Sequence, residues 1–231
     1  MRLTVVVTVH DGERFLDDAV RSVFKQTRPP DEIVAVDDGS TDRSASLLAA
    51  YPQIRVLSQS NRGCAIARNR GIAEASGDIV ALLDQDDVWD ARKLELQMAA
   101  FAADPALGFA VCAIRNFLSP GLTQLPGWVD ARTLGVDQRG YGTGTLVVRV
   151  AAFGRVGPFD AAKVPLDDSD WIVRAIDAGL PYVHVDRAIV HRRIHVHNLS
   201  GTVGVEARRH ALMAHILHAS LVRRRAGGES A

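Results

Sequence analysis

Asp84-Gln85-Asp86-Asp87 puts three carboxylates into four positions, directly after the apolar run Gly77-Asp78-Ile79-Val80-Ala81-Leu82-Leu83. That run has the length and branching of a buried strand. At an extended strand end Asp84 and Asp86 project to the same side. Two like charges that close repel unless a cation sits between or near them. Carboxylate oxygens suit Mg²⁺ or Mn²⁺, which bridge a few carboxylates to the phosphates of a ligand. The alternative is a solvated acidic loop that caps the next helix.

Two further polar clusters follow apolar runs, Thr8-Val9-His10-Asp11-Gly12 and Asp37-Asp38-Gly39-Ser40-Thr41-Asp42. Any one of them is ordinary turn and N-cap chemistry. Three at the carboxyl ends of parallel strands lie where open α/β sheets bind ligands. No Gly-x-Gly-x-x-Gly follows the first strand and no Gly-Lys-Ser/Thr loop occurs, so neither a dinucleotide fold nor a P-loop is supported. Asp167-Asp168-Ser169-Asp170-Trp171 is a fourth acidic stretch, and Asp167 or Ser169 would cap a helix running to Ala178. His191, His195 and His197 share parity, so an unbroken strand would offer them to a zinc ion as a lesser reading.

These residues need a scaffold, and the first half alternates strand and helix. Leu3–Val9, Glu32–Val36, Ile54–Leu57 and Ile79–Leu83 read as strands. Phe15–Gln26, Asp42–Tyr51 and Gly63–Ala75 read as helices between them, and Ala91–Ala103 as a fourth. Strands are then expected at Gly108–Ile114, Thr145–Val150, Tyr182–Asp186 and Ala188–Arg193. Irregular chain is expected over 115–140, a turn around Gly154–Asp160, and helices at Ser169–Ala178 and Val203–Arg225. The alternation predicts an α/β fold with a mostly parallel central sheet and helices on both faces.

The chain has 231 residues, 47% of them apolar, enough for one large α/β domain or two small ones. Lys+Arg and Asp+Glu both number 27, a balance that argues against nucleic acid as partner. Cys64 and Cys112 show no metal spacing and fit a reducing compartment. No apolar stretch reaches the ~18 residues of a membrane span, and the first residues enter a strand without a signal peptide's layout. A cytoplasmic location is the expectation.

The motifs in their order resemble a family 2 glycosyltransferase of the GT-A fold, which implies a Rossmann-like nucleotide-binding half. The matching segments are Val5–Leu16, Ser22–Thr27, Glu32–Asp42, Asn61-Arg62-Gly63, Ala67–Gly71, Gly77-Asp78 and Asp84–Trp89. Val156–Asp160 and Asp167–Trp171 continue the match, which covers residues 3 to about 200. The resemblance implies a nucleotide-sugar donor, a divalent cation (Mn²⁺ or Mg²⁺) and inversion at the anomeric carbon. It implies donor contacts from Thr8, His10, Asp38, Arg68, Asp84, Arg193 and His195, with Asp38 accepting from uracil N3–H in a UDP-sugar. Asp86 falls on the metal-ligand position, with Asp84 beside it. Asp168 falls on the general base, and Asp167 is the fallback. Arg193 and His195 lie in a stretch, Arg-x-His-x-x-Asn-x-Ser, that resembles a loop closing over the donor. Two departures stand out: His10-Asp11 replaces the usual Tyr-Asn, and Asp90-Ala91 replaces the usual Pro after the acidic tetrad.

The expected organisation is one GT-A domain over 1–203, with a nucleotide-sugar half at 1–103, an acceptor-binding and catalytic half at 104–203, and a C-terminal helix and tail at 204–231. The acceptor, whether glycan, lipid-linked sugar, peptide or small molecule, is not specified by any motif. The last helix carries Leu212, Met213, Ile216, Leu217 and Leu221 with arginines at its ends. It is expected to pack on the domain, in a homodimer or as a contact peripheral to the inner face of the membrane. Two rival functions are a nucleotidyltransferase of similar fold, which would want a Gly-rich loop after the first strand, and a non-catalytic sugar-nucleotide-binding module, which would need no base.

Overall fold

The computed structural model describes residues 1–122, 124–199 and 205–228. Ser200, the expected helix start at Val203 and the 203/204 boundary lie outside them.

Nine strands form one sheet. In chain order they are β1 (Leu3–Val9), β2 (Glu32–Asp37), β3 (Ile54–Ser58), β4 (Ile79–Asp84), β5 (Val88–Trp89), β6 (Phe109–Leu118), β7 (Asp137–Arg139), β8 (Val147–Arg149) and β9 (Tyr182–Ile194). The helices are α1 (Leu16–Phe24), α2 (Ser44–Ala49), α3 (Cys64–Glu74), α4 (Lys93–Ala103), α5 (Val150–Val156), α6 (Asp167–Asp177) and α7 (Val205–Gly228). The sheet order is β3-β2-β1-β4-β8-β6-β9-β5, with β7 beside β6. The long strands pair in parallel, and the short β5, β7 and β8 are antiparallel to their neighbours.

β1 is the centre of the first half because all seven of its residues are buried. Its Leu3, Val5, Val6, Val7 and Val9 are none more than 1% exposed, and each such side chain is worth on the order of 1.5–3 kcal/mol. α3 lies close against β1 because residue 71 is glycine: a Cβ there would meet Val6 Cγ1 at 2.4 Å.

The sheet must curl. Asp84 and Val88 are four residues apart and so lie within ~14 Å of each other. Yet β4 and β5 are four strand spacings apart, ~19 Å if the sheet were flat. β8 pairs only with the lower part of β4, Ile79 to Ala81. Above that point the curled sheet has an opening, and the polar strand ends face into it.

Several elements differ from the sequence expectation. The two expected strands at 182–193 are one strand, β9, because the polar pair Asp186-Arg187 sits opposite a register shift in β6 between Cys112 and Ile114. β6 runs on to Leu118 and recruits β7 from the stretch expected to be irregular. α5 occupies Val150–Val156, so the turn begins only at Gly157, where φ is +85°. Strand Thr145–Val150 shrinks to Val147–Arg149 behind a 3₁₀ turn at Thr143–Thr145. Among the described residues no helix is long and apolar enough to cross a membrane.

Lys93 lies on the inner face of α4 beside Leu94, Gln97, Met98 and Phe101, fully buried. Its ammonium stands 4.0 Å from the centre of the Trp89 ring and has no hydrogen-bond partner among the described residues. Burial lowers its pKa from 10.5 to about 8. Between pH 8 and 10.5 the unfolded chain therefore holds a proton that the folded chain has released, and stability rises with pH through that window. Lys93→Met is expected to raise the melting temperature at pH 7 by ~3–8 °C, since a buried charge is replaced by an apolar side chain of similar volume. Melting curves from pH 7 to 10 should show the gain shrinking as pH rises. A lower melting temperature at pH 7 would mean the Trp89 contact outweighs the burial penalty.

Candidate functional site

A cleft of about 1000 Å³ opens at the carboxyl ends of β1, β2 and β4. Thr8, His10, Asp38, Arg68, Asp84, Asp86, Asp167, Asp168 and His195 all line it. Arg193, the remaining candidate, lies behind the wall. Its guanidinium, 4% exposed, donates to the Asp86 carbonyl (3.0 Å) and to Asp18 on α1 (2.8 Å). It packs between the rings of Phe15 and Phe117.

The first wall is tied together by side chains that bond to backbone. Asp11 adopts φ +47° and its carboxylate accepts from the Thr41 N–H at 2.7 Å. Gln85 pairs with both backbone polar groups of His10, accepting from its N–H (2.7 Å) and donating to its carbonyl (2.8 Å). His10 Nε2 lies 2.9 Å from Asn61 Nδ2. The buried Asp38 carboxylate accepts from Gln59 Nε2 (2.7 Å), the Arg62 N–H (2.9 Å) and the Gly63 N–H (2.8 Å). Three of its roughly four acceptor positions are thus filled, and one is left for a ligand.

Arg68 on α3 spans the two halves. One guanidinium nitrogen lies 2.6 Å from Asp167 Oδ2 and the other 3.0 Å from Asp84 Oδ1. Burial pushes the Asp84 carboxyl up, against the pull of Arg68 and with the charge of Asp86 adding to it. Burial likewise pushes Asp167 up to about 6, with Arg68 opposing and Asp168 adding. Asp167 is only 2% exposed, so it faces Arg68 rather than the open cleft.

Asp86 sits at the mouth. Its Oδ2 lies 2.9 Å from His195 Nε2 and accepts from Asn198 Nδ2 at 3.2 Å. Asn198 also accepts from the His195 N–H (2.7 Å) and donates to the Arg193 carbonyl (3.1 Å). Behind it, burial and the charges of Asp86 and Asp84 push the Asp87 carboxyl well above the ordinary range. It accepts from the Arg193 N–H at 3.0 Å. A cation at Asp86 would relieve this crowding of carboxylates. Among the described residues no three His, Cys, Asp or Glu side chains form a closed metal cage. One carboxylate and one imidazole at an open mouth fit instead a cation that fills its remaining positions with ligand oxygens. The zinc reading fails on geometry: His191 pairs with Val88 and Arg115 inside β9, whereas His195 and His197 lie beyond its end.

Asp168 lies on the first turn of α6 and lines the same cleft. The helix starts at Asp167, not Ser169, and Leu166 in the capping position makes no side-chain cap. The expected capping role of Asp167 or Ser169 is therefore not the one seen. Asp168 Oδ2 accepts from the Thr143 N–H (3.0 Å) and hydroxyl (3.2 Å), and Oδ1 from the Ser169 N–H (2.6 Å). Trp171, fully buried, anchors the helix through its indole N–H to the Gly157 carbonyl at 2.9 Å. Beyond Asp168 the cleft is lined by Arg139, Tyr141 and Arg192, the last stacked on Trp128.

Sequence reasoning missed Gln85, Thr143 and Asp18 as supports. Gln85 alone carried a signal, a polar amide between acids at a strand end.

The model of glycosyl transferase family 2 matches residues 4–160. An uncharacterized glycosyltransferase of Nostoc sp. is 38% identical over 113 residues, 47% of this chain and 35% of the relative. The chain thus spans about a third of that protein's length. TarS of S. aureus (residues 1–349) in complex with UDP-GlcNAc superposes with a TM-score of 0.71 at 20% identity, covering 94% of this chain and 65% of TarS. Mannosyltransferase PcManGT from Pyrobaculum calidifontis, in complex with GDP-Man and Mn²⁺, does so with a TM-score of 0.66 at 20% identity, covering 100% and 64%.

Proposed function

The chain belongs to glycosyl transferase family 2, and from that premise we propose that it moves a sugar, with inversion, from a UDP-sugar to an acceptor hydroxyl. Its fold is of the GT-A type. The observation that carries the reading is the contrast between two adjacent carboxylates. Asp167 is withdrawn onto Arg68, while Asp168 is held by Thr143 at the wall of the same cleft that Asp86 lines. Asp168 takes the proton of the acceptor hydroxyl as its oxygen attacks the anomeric carbon and the bond to the diphosphate breaks. The base and the leaving group must lie on opposite faces of the sugar, which is the separation inversion requires.

Asp86, with Asp84 and His195 close by, would hold a divalent cation, which when bound neutralises the charge of the departing diphosphate. The Mn²⁺ in PcManGT supports this assignment. UDP as donor nucleotide is supported by the free acceptor position on Asp38 and by the UDP-GlcNAc in TarS. A binding module would have no need of Asp168.

The test is a thermal-shift series with UDP, CDP and GDP in Mn²⁺ and in EDTA. UDP is expected to raise the melting temperature most, more in Mn²⁺ than in EDTA, and Asp86→Ala should abolish the difference. Equal stabilisation in EDTA would remove the metal from the reading. Stronger stabilisation by GDP or CDP would remove uridine while leaving the enzyme class.

A further inference from the structure

We propose that the outward face of α7 rests on an anionic phospholipid surface. One side of this helix is already used. Ile216 is buried, the Ser220 hydroxyl donates to Asp177 at 2.9 Å, and Arg223 and Arg224 both reach the same carboxylate. The other side exposes Leu217 (53%), Leu221 (56%) and Val222 (52%). Leu217 and Leu221 are one turn apart and form a stripe with Ala214, which is also exposed. A helix apolar on both sides of its middle has two surfaces to cover, and the domain covers one.

Charge decides what covers the other. Between Val205 and Gly228 the sequence has five arginines and three histidines against one acidic residue, Glu206. Arg208, His210, His218 and Arg225 are exposed around the apolar stripe. A second copy of α7 is a poor fit. Packed antiparallel about Leu217, the pair would set Arg225 beside the other copy's exposed Arg208 and His210. Packed parallel, each arginine would face its own copy. A bilayer rich in anionic headgroups instead takes the leucines between its lipids and the arginines against its phosphates. Arg209, two turns before Ile216 on the domain-facing side of the same helix, lines the cleft. None of this depends on the proposed transfer chemistry.

The test is sedimentation of the full chain with vesicles of phosphatidylcholine alone and of phosphatidylcholine mixed with phosphatidylglycerol. Binding is expected to the anionic vesicles, to fall as salt is raised, and to be ~10-fold or more weaker to the neutral ones. Leu217→Glu/Leu221→Glu should abolish it. Arg208→Gln/Arg225→Gln, which leaves the Asp177 contacts in place, should weaken it ~10-fold. Both variants should keep the parent's melting temperature, because the changed side chains are exposed. Equal binding to both vesicles, binding to neither, or undiminished binding by the leucine variant would overturn the proposal. So would a dimer in light scattering that the leucine variant turns into a monomer.

Discussion

Asp168→Asn is expected to lower turnover by ~10²–10⁴-fold, the usual loss when a general base is removed, while UDP-sugar affinity stays near that of the parent. The substitution keeps the volume and one acceptor oxygen. It gives up one of two bonds, to the Thr143 N–H or to the Ser169 N–H, which costs about 1 kcal/mol and so ~2–4 °C of melting temperature. A purely structural Asp168 would reverse the pattern, with stability lost on Asp168→Ala and activity kept in whatever folds. Single-turnover rates and UDP-sugar titrations on the same preparation separate the two. Full activity in Asp168→Asn, with Asp167→Asn inactive, would move the base to the buried neighbour despite its contact with Arg68.

Arg68→Met should destabilise the fold by ~3–5 kcal/mol, because it leaves the buried Asp167 and the partly exposed Asp84 without the counter-charge they share, or ~6–20 °C in melting temperature. The pH dependence identifies the cause. The Asp167 carboxyl, already up to about 6 in the folded chain, binds a proton more readily folded than unfolded. Its contribution to stability therefore grows as pH falls from 6 towards 4 and is lost as pH rises through that range. Without Arg68 the folded carboxyls take up protons at still higher pH. The deficit of the variant should thus be large at pH 7.5 and clearly smaller at pH 5.5. A pH-independent deficit would point to lost packing of the arginine stem instead. Arg68→Lys should rescue little, since one ammonium cannot replace two guanidinium nitrogens aimed at separate carboxylates.

The first half was readable in the sequence because its strands are buried on both faces. Such strands appear as unbroken apolar runs, and β1 and β4 are of that kind. The positions that gather in the cleft were readable for a related reason. They sit immediately after those runs, where the chain must turn and where carboxylates need a purpose. The second half was less legible because its strands depend on distant partners. Asp186-Arg187 looks like a strand break until the shifted register of β6 is seen opposite it, and β7 exists only because β6 continues to Leu118. The same limit applies to contacts in the site. Nothing local in Asp167-Asp168 tells which carboxylate turns inward; that is set by Arg68, about a hundred residues earlier, and by Thr143. Nor does the helical period around Lys93 reveal that a lysine occupies the inner face of α4.

The short span from Asp84 to Val88 also bears on where a chain of this kind can lose or gain residues over evolutionary time. It stitches the middle of the sheet to its far edge, so its length sets how tightly the sheet curls. One inserted residue would slacken the curl and turn Val88 and Trp89 off their register with Val190 and His191. Elsewhere there is latitude: an added side chain at Gly127 would meet nothing within 4 Å. Lineages can therefore be expected to diverge in length before β7 and to keep the spacing of the acidic turn unchanged.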